Sequence, residues 1–486
     1  MSTKSSYVYL AIAFLLMVVS NWAYTIPLAA WLYPVFLMRF MRTEKMGRSL
    51  LGGGLCCVAA GVLMCGWALS NEMLFSPSFR IMSGVAAGLL AFLPFAADRL
   101  VTRRIPAFAS TLVFPMAFTT MELLMSFDGY RSTWGSLAYT QYGNLPLVQV
   151  VSLTGIWGVT FLMAWFASAI NWAWQKGVHH PRVKRGLLLY AGVLGAVLLA
   201  GGARLALCPA DGETTRVAAI TKPKVYHALF PLSETRQSLC ADSLSEQAYF
   251  LDTTRKAAAQ GARIILWQEM GVFIRSEDEV AFIRNVQQVA REEKVYVAMT
   301  LCSFPEDYPA SPWVNKMVLL DPTGGVLGEY IKARPSVLEP IEPGDGQIPV
   351  RETPYGKIAA VICCDATFPG LIRQAGRAGA GLLLVPGLVW DGVDPLYTRM
   401  NTFRAIENGF SFVQATGGGL SMAVDHQGRV WSAMDYGRTA PEIMTADIPI
   451  RHVETPYRQI GDLFGWLCVA GFIISVMFAV FRPSPR

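Results

Sequence analysis

The chain has 486 residues, of which 53% are hydrophobic and 16% charged, and its mean hydropathy is +0.37. This composition excludes an ordinary water-soluble globular protein and is typical of a membrane protein. The net charge of +6 reflects 41 basic against 35 acidic residues, a mild excess that basic cytoplasmic loops explain without a nucleic-acid partner. The nine cysteines lack the spacing of a zinc site and form no disulfide pattern.

Apolar segments near the bilayer-spanning length of about 20 residues occur in the first 207 residues and again near the C-terminus. The eight segments are predicted near residues 6–22, 24–40, 50–69, 81–98, 107–126, 147–174, 186–206 and 463–481. The first resembles the apolar region of a signal peptide, but no small-residue cleavage site follows it, so we expect a retained anchor. The sequence therefore predicts a seven-helix transmembrane domain over residues 1–207, a compact domain over 208–459 and a C-terminal transmembrane helix over 460–486.

Lysine and arginine residues orient these segments, because positive residues in short loops remain in the cytoplasm. The positive clusters follow the second, fourth, sixth and last segments: Arg39, Arg42, Lys45, Arg48, Arg99, Arg103, Arg104, Lys176, Arg182, Lys184, Arg185, Arg482 and Arg486. The alternate short loops carry only Arg80 and Arg131. We therefore predict a cytoplasmic N-terminus and a domain 208–459 that lies outside the cytoplasm, in the periplasm of a double-membraned bacterium.

Within residues 208–459, short β-branched runs alternate with segments of helical periodicity. The predicted strands are 263–267, 295–301, 315–320, 357–362, 381–385 and 411–415, and the predicted helices are 244–260, 278–293 and 396–408. Residues 321–325, with the sequence Asp-Pro-Thr-Gly-Gly, are typical of a turn within a β-hairpin. The pattern indicates a layered α/β domain with buried sheets.

Three stretches place a reactive side chain at or just past the end of an apolar strand: Glu269, Lys332 and Cys363. A carboxylate, an ammonium and a thiol are sufficient for acyl transfer, because they can supply a base, an oxyanion partner and a nucleophile. Taken singly, each residue type is more often a turn residue, a surface charge or a packing residue. A catalytic Cys/His arrangement has little support, since the three histidines of this domain lie in no recognisable strand-end motif: His227, His426 and His452.

The segment Ile362–Pro369, with the sequence I-C-C-D-A-T-F-P, resembles the nucleophile motif of the nitrilase (carbon-nitrogen hydrolase) superfamily. Residues 404–409, R-A-I-E-N-G, resemble the superfamily's R-A-x-E-N helix. The resemblance implies an αββα sandwich in which Glu269 is the general base, Lys332 the oxyanion cation and Cys363 the nucleophile. It is also the ground for preferring Cys363 to the adjacent Cys364.

Residues 152–162, S-L-T-G-I-W-G-V-T-F-L, resemble a stretch of the apolipoprotein N-acyltransferase family, and Trp134, Tyr139 and Gln141 fit its W-x-x-L-x-Y-x-Q pattern. Glu122 stands where that family carries an acidic residue. The resemblance implies transfer of an acyl chain from a membrane phospholipid, through a Cys thioester, to the amine of a diacylglyceryl-cysteine lipoprotein. It implies an inner-membrane location, no cofactor, no metal and no nucleic-acid partner.

Five residues are predicted to bind substrate: Glu122, Trp134, Glu339, Cys364 and Trp390. Several of them depart from the family's pattern, since Cys364 replaces an aromatic residue and Glu339 lies one position early after the lysine. Trp390 follows Pro386-Gly387-Leu388-Val389 instead of the usual S-N-D-A. Glu122 has a structural alternative, in which it pairs with Arg131 or is hydrated at the outer end of its helix.

Three other functions compete with acyl transfer. A membrane-tethered amidase would use the same triad and release the acyl group to water, so free fatty acid would accumulate without an acceptor. A binding protein that had lost turnover would form no acyl adduct on Cys363. A transporter is disfavoured, because the predicted spans lack the paired Gly/Pro-broken helices and central charges of transport sites.

Overall fold

The computed structural model describes residues 3–71, 75–105, 107–129, 132–177, 179–210, 212–222, 235–336, 339–435 and 442–481. Four residues that enter the sequence predictions lie outside this part: Arg131, His227, Arg482 and Arg486. The chain forms two compact units, a membrane unit of residues 1–208 with 460–486 and a catalytic unit of residues 209–459. The predicted boundary between residues 207 and 208 differs from this division by one residue.

The membrane unit is built from long helices at the predicted positions. They are α1 (Thr3–Val18), α2 (Pro27–Thr43), α3 (Met46–Ala68), α4 (Pro77–Val101), α5 (Val113–Met125), α6 (Ile156–Lys176), α7 (Pro181–Leu207) and the C-terminal helix Leu463–Phe481. Among the described residues, six helical segments are long and apolar enough to cross a membrane. The predicted number of eight is therefore not confirmed, because α1 and α2 have only 16 and 17 residues.

The predicted segment 147–174 is not one continuous helix. Two short helices, Leu145–Val148 and Val151–Thr154, precede α6, and Gly155 separates them from it with a φ of +64°. This backbone conformation is accessible to glycine and strained for most other residues. Hydropathy alone does not detect such a break, because the segment as a whole remains predominantly apolar.

A buried ion pair and a buried hydrogen bond hold the ends of α2 and α4 together. Both nitrogens of the Arg42 fork donate to the Asp98 carboxylate, at 2.9 and 2.7 Å. Arg99 donates to the backbone oxygen of Glu44 at 2.6 Å, and its side chain is also buried. Two of the arginines used to predict the orientation are thus bound to protein groups, which satisfies charges that would be costly to bury alone.

Helices α3 and α4 approach each other through glycines. A Cβ atom on Gly88 would lie 2.5 Å from the backbone of Cys57 and Val58, and one on Gly84 would lie 2.5 Å from the Cα of Val62. Small residues allow this close backbone contact, which is a common way to associate helices in membranes.

The catalytic unit contains two sheets flanked by helices. The strands are β1 (Thr214–Ile220), β2 (Ile264–Trp267), β3 (Val272–Arg275), β4 (Tyr296–Phe304), β5 (Val314–Leu320), β6 (Val326–Ile331), β7 (Val350–Thr353), β8 (Gly356–Ala360), β9 (Leu382–Leu388), β10 (Ser411–Gly417), β11 (Leu420–Val424), β12 (Val430–Asp435) and β13 (Ile443–Pro449). The first sheet has the order β13-β1-β2-β4-β5-β6 with β3 beside β4, and the second has the order β12-β11-β10-β9-β8-β7.

The two sheets pack face to face, with β1 and β2 against β9 and β10. Helices α8 (Ser243–Ala259) and α9 (Glu279–Glu293) cover the first sheet, while α10 (Pro369–Arg377) and α11 (Leu396–Asn408) lie on the side of the second. This four-layer arrangement confirms the predicted αββα fold. The predicted helices and strands match the observed ones to within about three residues, while β1, β3, β7 and β11–β13 were not predicted.

An aromatic core fixes the strand that leads into the site. The Trp267 ring at the end of β2 stacks on Phe250 of α8 at a centroid distance of 4.7 Å. Its indole N–H donates to Thr254 at 3.0 Å, so the ring is fully buried with its polar atom satisfied. The two residues that follow, Gln268 and Glu269, are consequently held at a defined position.

We predict that Gly88→Ala destabilises the membrane unit, since the added methyl meets backbone atoms that cannot rotate away. The loss should be about 1–3 kcal/mol, measurable as a lower melting temperature of the protein in detergent. Gly66→Ala is the matched control, because a Cβ there meets nothing within 4 Å. Equal melting temperatures for the two variants would contradict the close packing of α3 and α4.

Candidate active site

The direction of the strands brings the predicted triad to one region of the catalytic unit. Strands β2 and β4 are parallel, and two antiparallel pairings from β4 through β5 make β6 run the same way. Glu269 and Lys332 therefore follow strands that end at the same edge of the first sheet. Cys363 follows β8, which is parallel to β9 in the second sheet. Carboxyl ends of strands are a common position for ligand sites in α/β folds.

Glu269 lies two residues past β2 and is almost completely buried, with 1% of its surface exposed. Its Oε1 atom accepts hydrogen bonds from the Lys332 ammonium at 2.8 Å and from the Asn315 amide at 2.9 Å. Besides burial, the Cys363 thiol raises the pKa of this carboxyl group. A single carboxylate thus bonds to Lys332 and interacts electrostatically with the thiol of Cys363.

Lys332 directly follows β6, and its backbone is fixed by two hydrogen bonds. Its N–H donates to Asn315 O at 3.0 Å, and its carbonyl accepts from Gly344 at 2.9 Å. The buried ammonium lies between two carboxylates: it donates to Glu269 and, at 2.6 and 2.7 Å, to both oxygens of Glu339. Glu339, predicted to bind substrate, is therefore placed by the structure on the candidate oxyanion cation.

Burial and charge act in opposite directions on these groups. Desolvation raises the pKa of Glu269 well above its usual value, with further contributions from Cys363 and Glu339 and only partial opposition from Lys332. Burial opposes the charge of Lys332, but the two carboxylates outweigh it and hold the pKa of Lys332 well above normal. The site therefore contains a permanent cation beside a carboxyl group that readily holds a proton.

Cys363 lies in a tight turn with an unusual backbone conformation. Its φ is +47°, in the left-handed region that non-glycine residues seldom occupy. The turn is closed by a hydrogen bond from Asp365 N–H to Ile362 O of 3.1 Å. Such strain persists only where surrounding contacts enforce it, and it is often found at active sites. Here the turn presents a buried sulfur atom 3.9 Å from the carbonyl oxygen of Leu388.

The surroundings of Cys363 favour the protonated form of its thiol. Contact with Cys364 and burial raise the pKa of the thiol well above its usual value, while Lys332 opposes this shift. A neutral thiol is a poor nucleophile and needs an adjacent base. Glu269 is in position to accept the proton.

Asp365 connects the nucleophile turn to the segment that carries Lys332. Its buried carboxylate accepts from Tyr330 Oη at 2.8 Å and from the backbone N–H groups of Ala333 and Arg334 at 3.2 and 2.7 Å. Burial raises the pKa of Asp365 to about 6, against the lowering effect of these donors. Its contacts fix the spacing of Cys363 and Lys332.

Of two further predicted substrate residues, Cys364 adjoins the nucleophile, and Trp390 lies two residues after Leu388, whose carbonyl oxygen is near the sulfur. Cys364 is half-buried, and its sulfur is 4.0 Å from that of Cys363. Trp390 is half-buried in the loop after β9, whose preceding residues Leu388 and Val389 are buried. The backbone N–H of Val389 donates to Gly417 at 3.1 Å, which anchors this loop to the end of β10.

Glu122 and Trp134 belong to the membrane unit. The Glu122 carboxylate is 9% exposed and accepts from Ser136 Oγ at 2.8 Å, Leu137 N–H at 2.7 Å and Thr160 Oγ1 at 2.7 Å. These hydroxyl and backbone donors satisfy the carboxylate, while the Arg131 partner considered in the sequence analysis lies outside the described residues. The half-buried Trp134 stacks on Trp22 with ring centroids 6.1 Å apart.

Sequence reasoning missed two residues of the site. Asn315 is a buried amide inside β5 that donates to Glu269, and an asparagine within an apolar strand is the signal that could have identified it. Tyr397, in the first turn of α11, is buried, and burial together with the nearby Cys363 raises the pKa of its phenol. No local pattern distinguishes this tyrosine from an ordinary core residue, because only the fold brings it to the thiol.

Two family descriptions match the chain. Residues 13–169 match the apolipoprotein N-acyltransferase N-terminal domain, and residues 233–457 match carbon-nitrogen hydrolase. The first match falls within the membrane unit, and the second contains Glu269, Lys332 and Cys363.

Relatives and solved structures are similar to one or both units. The apolipoprotein N-acyltransferase of Geobacter metallireducens is 28% identical over 426 residues, covering 81% of this chain and 79% of the relative. That of Gloeobacter violaceus is 25% identical and covers 92% of this chain and 89% of the relative. An amidase of the nitrilase superfamily from Nesterenkonia is 22% identical, with a TM-score of 0.41, and covers 51% of this chain and 94% of the amidase. The two matched domains lie on one chain, and the relatives from Geobacter metallireducens and Gloeobacter violaceus span both, so the chain is similar to apolipoprotein N-acyltransferases over most of its length.

Proposed function

We propose that this chain is an N-acyltransferase that moves an acyl chain from a membrane phospholipid to the N-terminal amine of a diacylglyceryl-cysteine lipoprotein. The observation that carries the proposal is that Glu269, Lys332 and Cys363 are grouped in a buried site, in a chain that also has a membrane unit. A base, a cation and a thiol placed together are suited to nucleophilic acyl transfer. Similarity to apolipoprotein N-acyltransferases supports the same activity.

The first half-reaction forms a thioester on Cys363. Glu269 takes the thiol proton, and the sulfur attacks the ester carbonyl of the phospholipid. The ammonium of Lys332 stabilises the negative charge that develops on the carbonyl oxygen. This electrostatic stabilisation is strongest where water is excluded. The ester bond breaks, and Glu269 returns the proton to the departing oxygen of the lysophospholipid. The raised pKa of Glu269 suits both proton transfers.

The second half-reaction passes the acyl group to the lipoprotein. The neutral α-amine attacks the thioester carbonyl, Glu269 accepts a proton from the nitrogen, and the Cys363 thiol is regenerated as the amide forms. Donor and acceptor use the same site in turn, so the kinetics are ping-pong. Because hydrolysis competes at this stage, water must be kept from the thioester. The buried residues Leu388 and Val389 beside the sulfur support such protection, and we propose that Trp390 extends it.

The membrane unit suits these substrates. Each acyl chain contributes about 0.8 kcal/mol per buried CH₂, so phospholipid and diacylated lipoprotein both remain in the bilayer. We propose an inner-membrane location with the catalytic unit in the periplasm, as the distribution of Lys and Arg predicts. Glu122 and Trp134 are proposed to bind lipid within the membrane unit, and Cys364 and Glu339 are proposed to border the reacting carbonyl in the catalytic unit.

The proposal is tested first with purified protein and a phospholipid that carries a labelled acyl chain. Label should appear on Cys363 as a hydroxylamine-sensitive adduct and move to the amine of an added diacylated lipopeptide. Cys363→Ala should carry no label, whereas Cys364→Ala should still carry it at Cys363. Label lost to water without dependence on acceptor would identify a hydrolase, and no label on the wild type would refute both activities.

Glu269→Gln should slow thioester formation by a factor of about 100–10,000, the usual contribution of a general base. The glutamine keeps the shape and can still contact Asn315 and Lys332, so the loss isolates the proton transfer. Single-turnover labelling of Cys363 measures it, with Glu352→Gln as a control at an exposed carboxylate on β7. An unchanged labelling rate would remove Glu269 from the role of base.

Glu339→Gln should shift the acidic limb of the labelling rate to lower pH. The base must be ionised to act, so a raised pKa of Glu269 places this limb above the range of an ordinary carboxyl group. The charge of Glu339 contributes to that shift, and removing it also leaves Lys332 more available to Glu269. A pH profile of labelling against Glu352→Gln measures the displacement, and a limb that stays fixed or moves upward would contradict this electrostatic account.

A further inference from the structure

Cys363 and Cys364 form a thiol pair whose second member has no step in the proposed acyl transfer. They are the two central residues of the turn closed by Asp365 N–H and Ile362 O. Their sulfur atoms are 4.0 Å apart. Cys363 is 5% exposed, whereas Cys364 is only half-buried. The turn thus holds a more accessible thiol in contact with the candidate nucleophile.

We propose that Cys364 is a resolving thiol that protects Cys363 from irreversible oxidation by peroxides. The inference rests on the proposed role of Cys363 as the nucleophile. The groups that activate this sulfur toward a carbonyl act in the same way toward the O–O bond of a peroxide, because Glu269 accepts the thiol proton and Lys332 favours the thiolate. A nucleophile activated by a built-in base is therefore also a target for oxidants.

The first oxidation step uses one molecule of hydrogen peroxide. The sulfur of Cys363 attacks one peroxide oxygen, the O–O bond breaks, and the departing hydroxide takes the proton held by Glu269 to form water. Sulfur is oxidised by two electrons to a sulfenic acid, and each of the two peroxide oxygens is reduced by one electron. Without a neighbouring thiol, further peroxide converts sulfenic to sulfinic and sulfonic acid, which are not readily reversed.

Cys364 diverts this intermediate to a disulfide. Its sulfur attacks the sulfur of the sulfenic acid, the S–OH bond breaks, and the hydroxyl group leaves as water with the Cys364 proton. The sum is one peroxide and two thiols giving one disulfide and two waters. The sulfur atoms must close from 4.0 Å to about 2.05 Å, a movement that rotation of the half-buried Cys364 side chain can begin.

The resulting disulfide should be easy to reduce. Adjacent residues have Cα atoms about 3.8 Å apart, whereas ordinary disulfides need about 4.4–6.8 Å. A ring closed between neighbours is therefore strained, and strained disulfides are the labile ones. Oxidation would stop acyl transfer by removing the nucleophile, and a thiol reductant would restore it.

The test uses the full-length protein in detergent, exposed to hydrogen peroxide, denatured, alkylated and digested. In the wild type, mass spectrometry should find the peptide of both cysteines lighter by two hydrogens and without alkyl groups, and dithiothreitol should restore two alkylation sites. In Cys364→Ser and Cys364→Ala, Cys363 should instead gain two or three oxygen atoms that dithiothreitol does not remove. Cys240→Ser, at a buried thiol elsewhere in the catalytic unit, should behave like the wild type.

Labelling of Cys363 by phospholipid gives a second readout, expressed relative to each variant before oxidation. After treatment with peroxide and then dithiothreitol, the wild type should recover most of its labelling. The fraction recovered by the two Cys364 variants should be lower than that of the wild type by a factor of about ten or more. Direct overoxidation of the wild type, or equal recovery in the variants, would overturn the proposal. If untreated protein takes no label, the acyltransferase proposal fails, while the peptide masses still decide the role of Cys364.

Discussion

The ammonium of Lys332 between the carboxylates of Glu269 and Glu339 is the interaction on which the site depends. All three groups are removed from water, so each is tolerable only because the others are present. Loss of the cation would leave two like charges in a dry interior, a situation that typically costs about 3–5 kcal/mol for a buried pair. Such a buried charged cluster contributes little net stability to the fold, but it holds Glu269 as a base with a raised pKa.

A strained backbone conformation positions the nucleophile near this charged cluster. Cys363 occupies a left-handed conformation, which is tolerated because Asp365 connects the turn to residues 333–334 and Leu388 closes it from β9. The two sheets contribute separate parts, since Glu269 and Lys332 come from one and Cys363 from the other. Packing of the sheets therefore sets the distance between base and nucleophile, and the chemistry relies on a rigid core.

The predictable part of the fold and site is the part that is local in sequence. The composition of the apolar runs before Glu269 and Cys363 is sufficient to predict strands. The resemblance to the superfamily motif was needed to predict that Glu269, Lys332 and Cys363 lie together, because their spacing in sequence does not show it. Contacts between elements distant in sequence were not predicted: Asn315 contacts Glu269 from another strand of the first sheet, and only the fold brings Tyr397 near the thiol. In the membrane unit, hydropathy located the helices but missed the break at Gly155, because conformation and not polarity interrupts the segment.

Each unit uses a buried carboxylate to hold a short segment of backbone in place. Asp365 accepts one hydroxyl and two backbone N–H groups, and Glu122 accepts two hydroxyls and one backbone N–H. A buried carboxylate with three donors is satisfied without a counter-ion, and its directional bonds fix a loop that hydrophobic packing would leave adjustable. In the catalytic unit the fixed loop follows Lys332. In the membrane unit it is the segment after Trp134, which implies that the position of this aromatic residue is as closely specified as that of the triad.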